Sequence, residues 1–388
     1  MAVSISWCRI IAVFVLLVLT VAGEASAKPY SEEDLAKLTP EQKQRLFAYL
    51  DARAAYAAIA DRYWAIAEAK RKARRKKDIS ELTREDFVFE HPPVYKGPPP
   101  PDDVFRILAK PKPKPEPPPV VADFLSHAKR IYGFIPLAIP DAEFKRRYAR
   151  EALRLGMTKD QIVRVYSLET GGYGTYDMQA GFNPKTGKTT PISTALGYAQ
   201  LLAANSVEVL AKHGAAFAAR LEAMAKQPQE AGRAAALREK ADIVRRMSRD
   251  ARAVPYSWSS HVSFANTPKG MAIHAMNLDG DVGPWMQIIK LRAIVDYAAK
   301  KGKTNLTGGQ LEMMNLAGPA SGFEMLLPVA RDAVTANFFQ RGGYERNPVV
   351  HNRTASELLK KIDEIMDRNR LRDGARQFDA IFDGLLTQ

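Results

Sequence analysis

Hydrophobic positions recur with helical spacing along almost the whole chain. Leu46, Tyr49, Tyr56, Ala60, Tyr63 and Ala67 follow one another at steps of three, four and seven residues, which puts them on one helix face. Thr39-Pro40-Glu41-Gln42 reads as the start of that helix, with Thr39 as N-cap, Pro40 at the first helical position and Gln42 closing a capping box. The same grammar returns downstream. DAEFKRRYAREALRLG runs from Asp141 to a stop at Gly156, and MTKDQIVRVYSLET opens on a second box of Thr158 and Gln161. Residues 283–303 and 355–370 repeat the period. No strong hairpin signal interrupts it, so the predicted fold class is all-α.

Breaks in the pattern divide the chain. Residues 10–22 are an apolar run behind Arg9 and ahead of Ala25-Ser26-Ala27, the layout of a signal peptide over residues 1–27. The run is short of the roughly 20 residues a membrane span needs. An N-terminal helical segment follows over 28–91. Residues 92–119 carry two proline tracts, PPVYKGPPPPDD and KPKPKPEPPP, which cannot build helix and read as a semi-rigid linker. Residues 102–109, between the tracts, are predicted to dock locally. A helical domain occupies 120–388, and its charged, alanine-rich stretch at 206–252 reads as an insertion or a long arm.

Charge and cysteine usage narrow the partners. The net charge is +14, and removing residues 1–27 leaves it unchanged because Arg9 and Glu24 cancel. Such a balance favours polyanions. Export argues against nucleic acid and toward the carboxylate-bearing glycan of a cell wall, with a periplasmic or secreted location. The helix-turn-helix-like stretch around Gly156 points the same way, because its second helix offers Ile, Val, Tyr and Leu where base edges need polar side chains. KRKARRKK, residues 70–77, reads as a solvated cationic helix end that could contact an anionic membrane or wall. The one cysteine, Cys8, leaves with the signal, which excludes disulfides, thiolate metal sites and a cysteine nucleophile. Asn277, Asp279 and Asp281 alternate as in a calcium loop, yet position 288 is Ile where a bidentate Glu belongs. No metal and no cofactor is predicted.

The candidate chemistry lies in VYSLETGGYG, residues 165–174. Glu169 falls in the last turn of a helix, where the macrodipole is negative, and apolar neighbours desolvate it. Both effects hold a proton on the carboxyl. Such a group can act as general acid on a glycosidic oxygen. The competing reading is a solvated glutamate paired with Arg164.

Three motifs in order resemble those of the lytic transglycosylase and goose-type lysozyme superfamily. They are Glu169-Thr170-Gly171-Gly172, then STALGYAQLL with Ser193, Gly197 and Gln200 opening the next helix, then MMNLAGPASG with Asn315, Gly318 and Pro319. The resemblance spans roughly residues 122–370. It implies a lysozyme-like helical catalytic domain that cleaves the bond between N-acetylmuramic acid and N-acetylglucosamine. Glu169 would serve as both acid and base, giving a 1,6-anhydro product. It further implies substrate contacts from Thr170, Tyr173, Ser193, Tyr198, Gln200 and Asn315. Tyr173 and Tyr198 would stack on sugars, and Ser193 and Gln200 would bind acetamido groups. Met314 stands where the family has tyrosine, so Tyr198 or Tyr344 would have to replace it. The alternatives are an inactive glycan-binding or scaffold protein on the same fold, and a hydrolytic lysozyme using a second carboxylate such as Asp177.

Overall fold

A computed structural model describes residues 30–110, 116–182, 190–228 and 230–387. The segment 1–27, expected to be a signal peptide, lies outside the described residues. Among those residues the secondary structure is helical, with no strand and only isolated β-bridges. No described helix is long and apolar enough to cross a membrane. The chain forms two compact units, one from residues 1–55 and 95–112, the other from residues 56–94 and 113–388.

The smaller unit contains α1 (Glu32–Ala36), the first part of α2 (Pro40–Arg74) and α3 (Asp102–Leu108). Thr39 and Gln42 exchange the hydrogen bonds of a capping box, as their spacing predicts. Leu35, Leu38 and Leu46 form a small core with Val104 and Leu108 of α3. Tyr49 meets the rings of Tyr95 and Phe105 edge-on, and Arg45 grips Asp103 with two nitrogens. The reading of 92–119 as a spacer is therefore corrected over 95–110. Residues 102–109 dock as expected, through helix α3, and Tyr95 ahead of it packs as well. Residues 111–115, within the second tract, lie outside the described residues.

The larger unit starts at Tyr56, so the boundary predicted at residue 120 moves upstream. Trp64 and Ala67 of α2, with Phe87 and Val88 beyond it, join the main core of this unit. Its further helices are α4 (Val121–Tyr132), α5 (Asp141–Arg154), α6 (Lys159–Glu169), α7 (Ala203–Ala225) and α8 (Arg233–Arg252). Then come α9 (Trp258–Ala265), α10 (Pro268–His274), α11 (Val282–Lys300), α12 (Gly308–Ala317) and α13 (Pro319–Met325). Last are α14 (Arg341–Arg346), α15 (Ala355–Arg370) and α16 (Asp373–Leu386). They gather into two hydrophobic clusters. The first takes residues from α5, α6 and α11 to α16. The second takes residues from α4 and α7 to α10. Helix α11 serves both, giving Trp285 and Met286 to one and Leu291 and Ile294 to the other.

The stretch 206–252 is not a projecting arm. It supplies α8 and most of α7, whose Val207, Leu210, Leu221, Leu237, Val244 and Met247 are fully or almost fully buried in the second cluster. Most of its charges, Lys240 apart, lie on the outward faces, which is what made it look solvated. Asp279 and Asp281, the calcium-like pair, are also interior. The Lys240 ammonium sits between them at 2.7 and 2.6 Å, and Arg147 and Arg233 complete the neutralisation of Asp281. A lysine thus occupies the place a cation would take.

The cationic run 70–77 is corrected as well. Arg74 is fully buried, pairs with Glu324 at 2.8 Å and donates to the carbonyls of Asp86 and Asn337. Arg71 donates to the Phe339 carbonyl, Lys70 to the Glu85 and Phe87 carbonyls, and Lys77 pairs with Asp86. Lys72, Arg75, Lys76 and Lys77 stay on the exposed side, and Lys72 is paired with Glu68. Breaking a buried ion pair strands its partner, at a cost of about 3–5 kcal/mol. Arg74→Ala should therefore lower stability in urea denaturation by about that amount, whereas Lys76→Gln should stay within about 0.5 kcal/mol. Equal effects of the two changes would restore the reading of a solvated helix end.

Candidate functional site

Helix α6 opens on the capping box of Thr158 and Gln161 and buries Ile162, Val163, Val165, Tyr166 and Ser167. These side chains face the core, so the helix has none of the exposed polar face that a DNA-reading helix requires. Arg164 faces away from Glu169, toward Asp363 and Asp367 of α15. The predicted Glu169–Arg164 pair does not form.

The chain turns sharply after Glu169 because Gly171 and Gly172 take φ values of 66° and 77°. A Cβ on Gly172 would come within 2.2 Å of the Asn369 carbonyl oxygen, so the turn packs closely against the end of α15. Arg372 donates to the Gly171 carbonyl and Ala375 to that of Gly172, which fixes the loop. Glu169 is left at the end of a rigid helix, packed among protein atoms with one edge exposed.

Asn315 meets it there, and Glu312 and Lys290 lie within electrostatic reach. Asn315, in the last turn of α12, donates from Nδ2 to Glu169 Oε1 at 3.1 Å. The same nitrogen lies 3.5 and 3.4 Å from the two oxygens of Glu312, one helical turn back. Glu312 is almost completely buried, and its carboxyl shares the Asn315 amide nitrogen with that of Glu169. Lys290 of α11 lies within electrostatic reach of both carboxyls and donates to Asn205 of α7. Burial pushes Glu169 up to about 7, against the Lys290 charge and the hydrogen bond from Glu312 that pull it down. Burial and then the Glu169 charge hold Glu312 well above the ordinary carboxylate range. The amide of Asn315 is oriented by these carboxyls, and its Oδ1 is left buried without a partner.

The other predicted site residues fare differently. Thr170 is buried, with its hydroxyl donating back to the Tyr166 carbonyl, so it finishes the helix and touches no substrate. Tyr198 is fully buried, edge-on to Tyr166, Tyr148 and Phe144, and hydrogen-bonded to Asp141 at 2.6 Å, so it cannot stack on a sugar. STALGYAQLL does not open a helix, since α7 begins at Ala203. Ser193 accepts from the Ala195 amide within this loop. Gln200, at φ 41°, spends its amide nitrogen on the Met178 and Gly197 carbonyls. Both shape the loop. Tyr173 stays half-buried beside Glu169's turn, with Arg372 over its ring. Asp177 is exposed and takes the Thr175 hydroxyl. Tyr344 packs on Trp64 and His351.

Glu312 and Lys290 were not singled out in the sequence. Their signals were faint: a glutamate one turn before Asn315, and one of two cations inside the apolar run WMQIIKLRAIV. Two exposed aromatics lie at the start of α9. Tyr256 and Trp258 are 66% and 53% exposed. The Tyr256 hydroxyl donates to Glu208, whose charge reaches Lys290. A depression of about 730 Å³ bordered by Leu326, Pro328, Lys360 and Asp363 includes no member of the carboxyl cluster. Depth alone does not mark the chemistry here, and the displaced proton affinities do.

No family model, curated protein or solved structure matches this chain. The raised proton affinity of Glu169 has a thermodynamic consequence of definite sign. A carboxyl whose folded pKa exceeds its unfolded value favours folding below about 4.5, and that contribution is lost as pH rises through about 7. Each pKa unit is worth about 1.4 kcal/mol. Glu169→Gln should raise Tm at pH 8 and leave it nearly level at pH 4. A Tm lowered equally at both would mean that the glutamate is a structural anion.

Proposed function

We propose that the chain is an exported peptidoglycan lytic transglycosylase with a lysozyme-like helical catalytic domain, and that Glu169 is its acid and base. The observation that carries the reading is a half-open, proton-retaining carboxyl at a helix end, held by Asn315. Protonated Glu169 would give its proton to the oxygen between N-acetylmuramic acid and N-acetylglucosamine as the C1–O bond breaks. The resulting carboxylate would take the proton of the muramoyl C6 hydroxyl while O6 bonds to C1. One carboxyl suffices because the nucleophile belongs to the substrate.

The arrangement disfavours a two-carboxylate hydrolase. Such enzymes place the sugar between carboxyls about 5–5.5 Å apart when retaining, or about 6.5–9.5 Å apart when inverting. Glu312 and Glu169 share one donor, the Asn315 amide nitrogen, which lies 3.1 Å from Glu169 and 3.4 Å from Glu312, so the group held between them is that amide rather than a sugar. Asp177 is exposed and engaged with Thr175. Tyr256 and Trp258 offer sugar-sized faces, and the basic balance of the chain suits an acidic wall polymer.

Two outcomes test the reading. Digestion of purified sacculi by the full chain should release anhydro-muropeptides by mass spectrometry, and Glu169→Gln should reduce release by at least about 10²-fold with folding intact. Reducing ends instead of anhydro ends would make it a lysozyme. No release with retained sedimentation would leave a glycan-binding protein. Tyr256→Ala with Trp258→Ala should raise the glycan concentration needed for half-maximal rate several-fold while the maximal rate changes little, since stacking binds without reacting. An unchanged concentration dependence would remove the aromatic pair from the substrate path.

A further inference from the structure

A second carboxyl pressed against the first needs a reason, since burying both is costly and the proposed reaction consumes only one. We propose that Glu312 is a positioning residue for Glu169: the two carboxyls hold one proton between them, and Glu312 lends it to Glu169 when Glu169 alone would be ionised. The inference rests on the reading of Glu169 as the acid, and it concerns how that acid stays charged with a proton.

The geometry supplies each part. Glu312 and Asn315 sit three residues apart on α12, so they share one face and reach α6 together. The Asn315 amide spans both carboxyls and orients them toward each other. Two carboxylates this close repel strongly enough that one remains protonated, as a neutral acid donating to its ionised neighbour. The transfer is a single exchange, in which the O–H bond of Glu312 breaks as the O–H bond of Glu169 forms. The carboxylate left on Glu312 faces the Lys290 ammonium, which compensates its charge.

Every element around Glu169 is consistent with that assignment. From α5 it faces the Tyr148 phenol, itself pushed up by burial and kept neutral. From α7, Asn205 steadies Lys290, and Glu208 reaches Lys290 electrostatically. On α15, Asp363 and Asp367 are occupied by Arg164, and Asn369 donates to the Ser167 carbonyl. Arg372 is engaged with the Gly171 carbonyl. Lys290 is therefore the cation within electrostatic reach of the pair, and Glu312 the second carboxyl on the shared Asn315 amide.

Side-chain ¹³C NMR titration of glutamate-labelled full chain reads the pair without requiring turnover. In the native chain both carboxyls should titrate above the ordinary range, with each curve showing the other's step. In Glu312→Gln the Glu169 curve should collapse to one step. In Glu169→Gln the Glu312 midpoint should fall, because the neighbouring charge is gone. Superimposable curves for the remaining carboxyl in the native chain and the variants would overturn the inference, and the second variant serves if the first does not fold.

The glycan assay adds a functional readout. Above the Glu169 midpoint, Glu312→Gln should lose rate about tenfold per pH unit, while the native chain holds its rate to higher pH. Identical alkaline limbs would overturn the inference and leave Glu169 as a lone acid. Coupled titration in a chain that releases no glycan would sink the transglycosylase reading and keep the shared proton.

Discussion

Two carboxyl groups in one poorly solvated place repel each other, and the structure must hold them together against that repulsion. The force that does so is packing. Glu169 ends a helix whose inner face is locked by Val163, Val165 and Tyr166, and Glu312 sits on a helix buried through Leu311, Met313 and Met314. Neither helix can retreat without opening the main core. The cost of holding the pair is reduced by the Asn315 amide, by a retained proton and by Lys290. Helix α11 brings Lys290 to this point because it spans both hydrophobic clusters, and α7 supplies the Asn205 acceptor from the second one. The site thus draws on both halves of the larger unit, which is why the stretch once read as an arm is part of its support.

The same rule governs charge elsewhere in the unit. Asp279 and Asp281 are interior and matched by Lys240, Arg147 and Arg233. Arg74 is interior and matched by Glu324 and two carbonyls. In each case a buried charge finds its opposite or a full set of hydrogen bonds. At Glu169 and Glu312 two carboxyls instead share a neutral amide donor. Structural ion pairs need no such arrangement, and that contrast separates the candidate site from the rest of the buried charge.

What could be read from the sequence was what is local. Capping boxes at Thr39 and Thr158 involve partners three residues away, so the helix starts were legible. Glu169 was legible for the same reason, since its helix end, apolar wall and glycine turn all lie within ten residues. Tyr198 was misread because flanking a motif says nothing about which way a loop side chain turns, and its ring is claimed by Tyr148, Tyr166 and Phe378. The cations of 70–77 were misread because the carbonyls and carboxylate that bury Arg71 and Arg74 come from residues 324–339. Glu312 gave almost no signal: its partner is over a hundred residues away, and LEMMN has no feature that separates it from an ordinary helix glutamate.

The departure at Met314 can now be weighed. The resemblance calls for a tyrosine immediately before Asn315, yet Met314 is fully buried in the main core and packs against Gly322. One residue along a helix is a rotation of about 100°, so position 314 cannot face the acid while Asn315 does. A hydroxyl placed at 314 would enter apolar packing and lack a partner. The position that does share Asn315's face is 312, three residues back, and it carries a carboxyl. A polar group therefore still reaches Glu169 from this helix, moved by two residues and changed from phenol to carboxylic acid. The change matters chemically. A phenol with an ordinary pKa near 10 can only hydrogen-bond to the acid around neutral pH, whereas a neutral carboxylic acid can also exchange its proton with it.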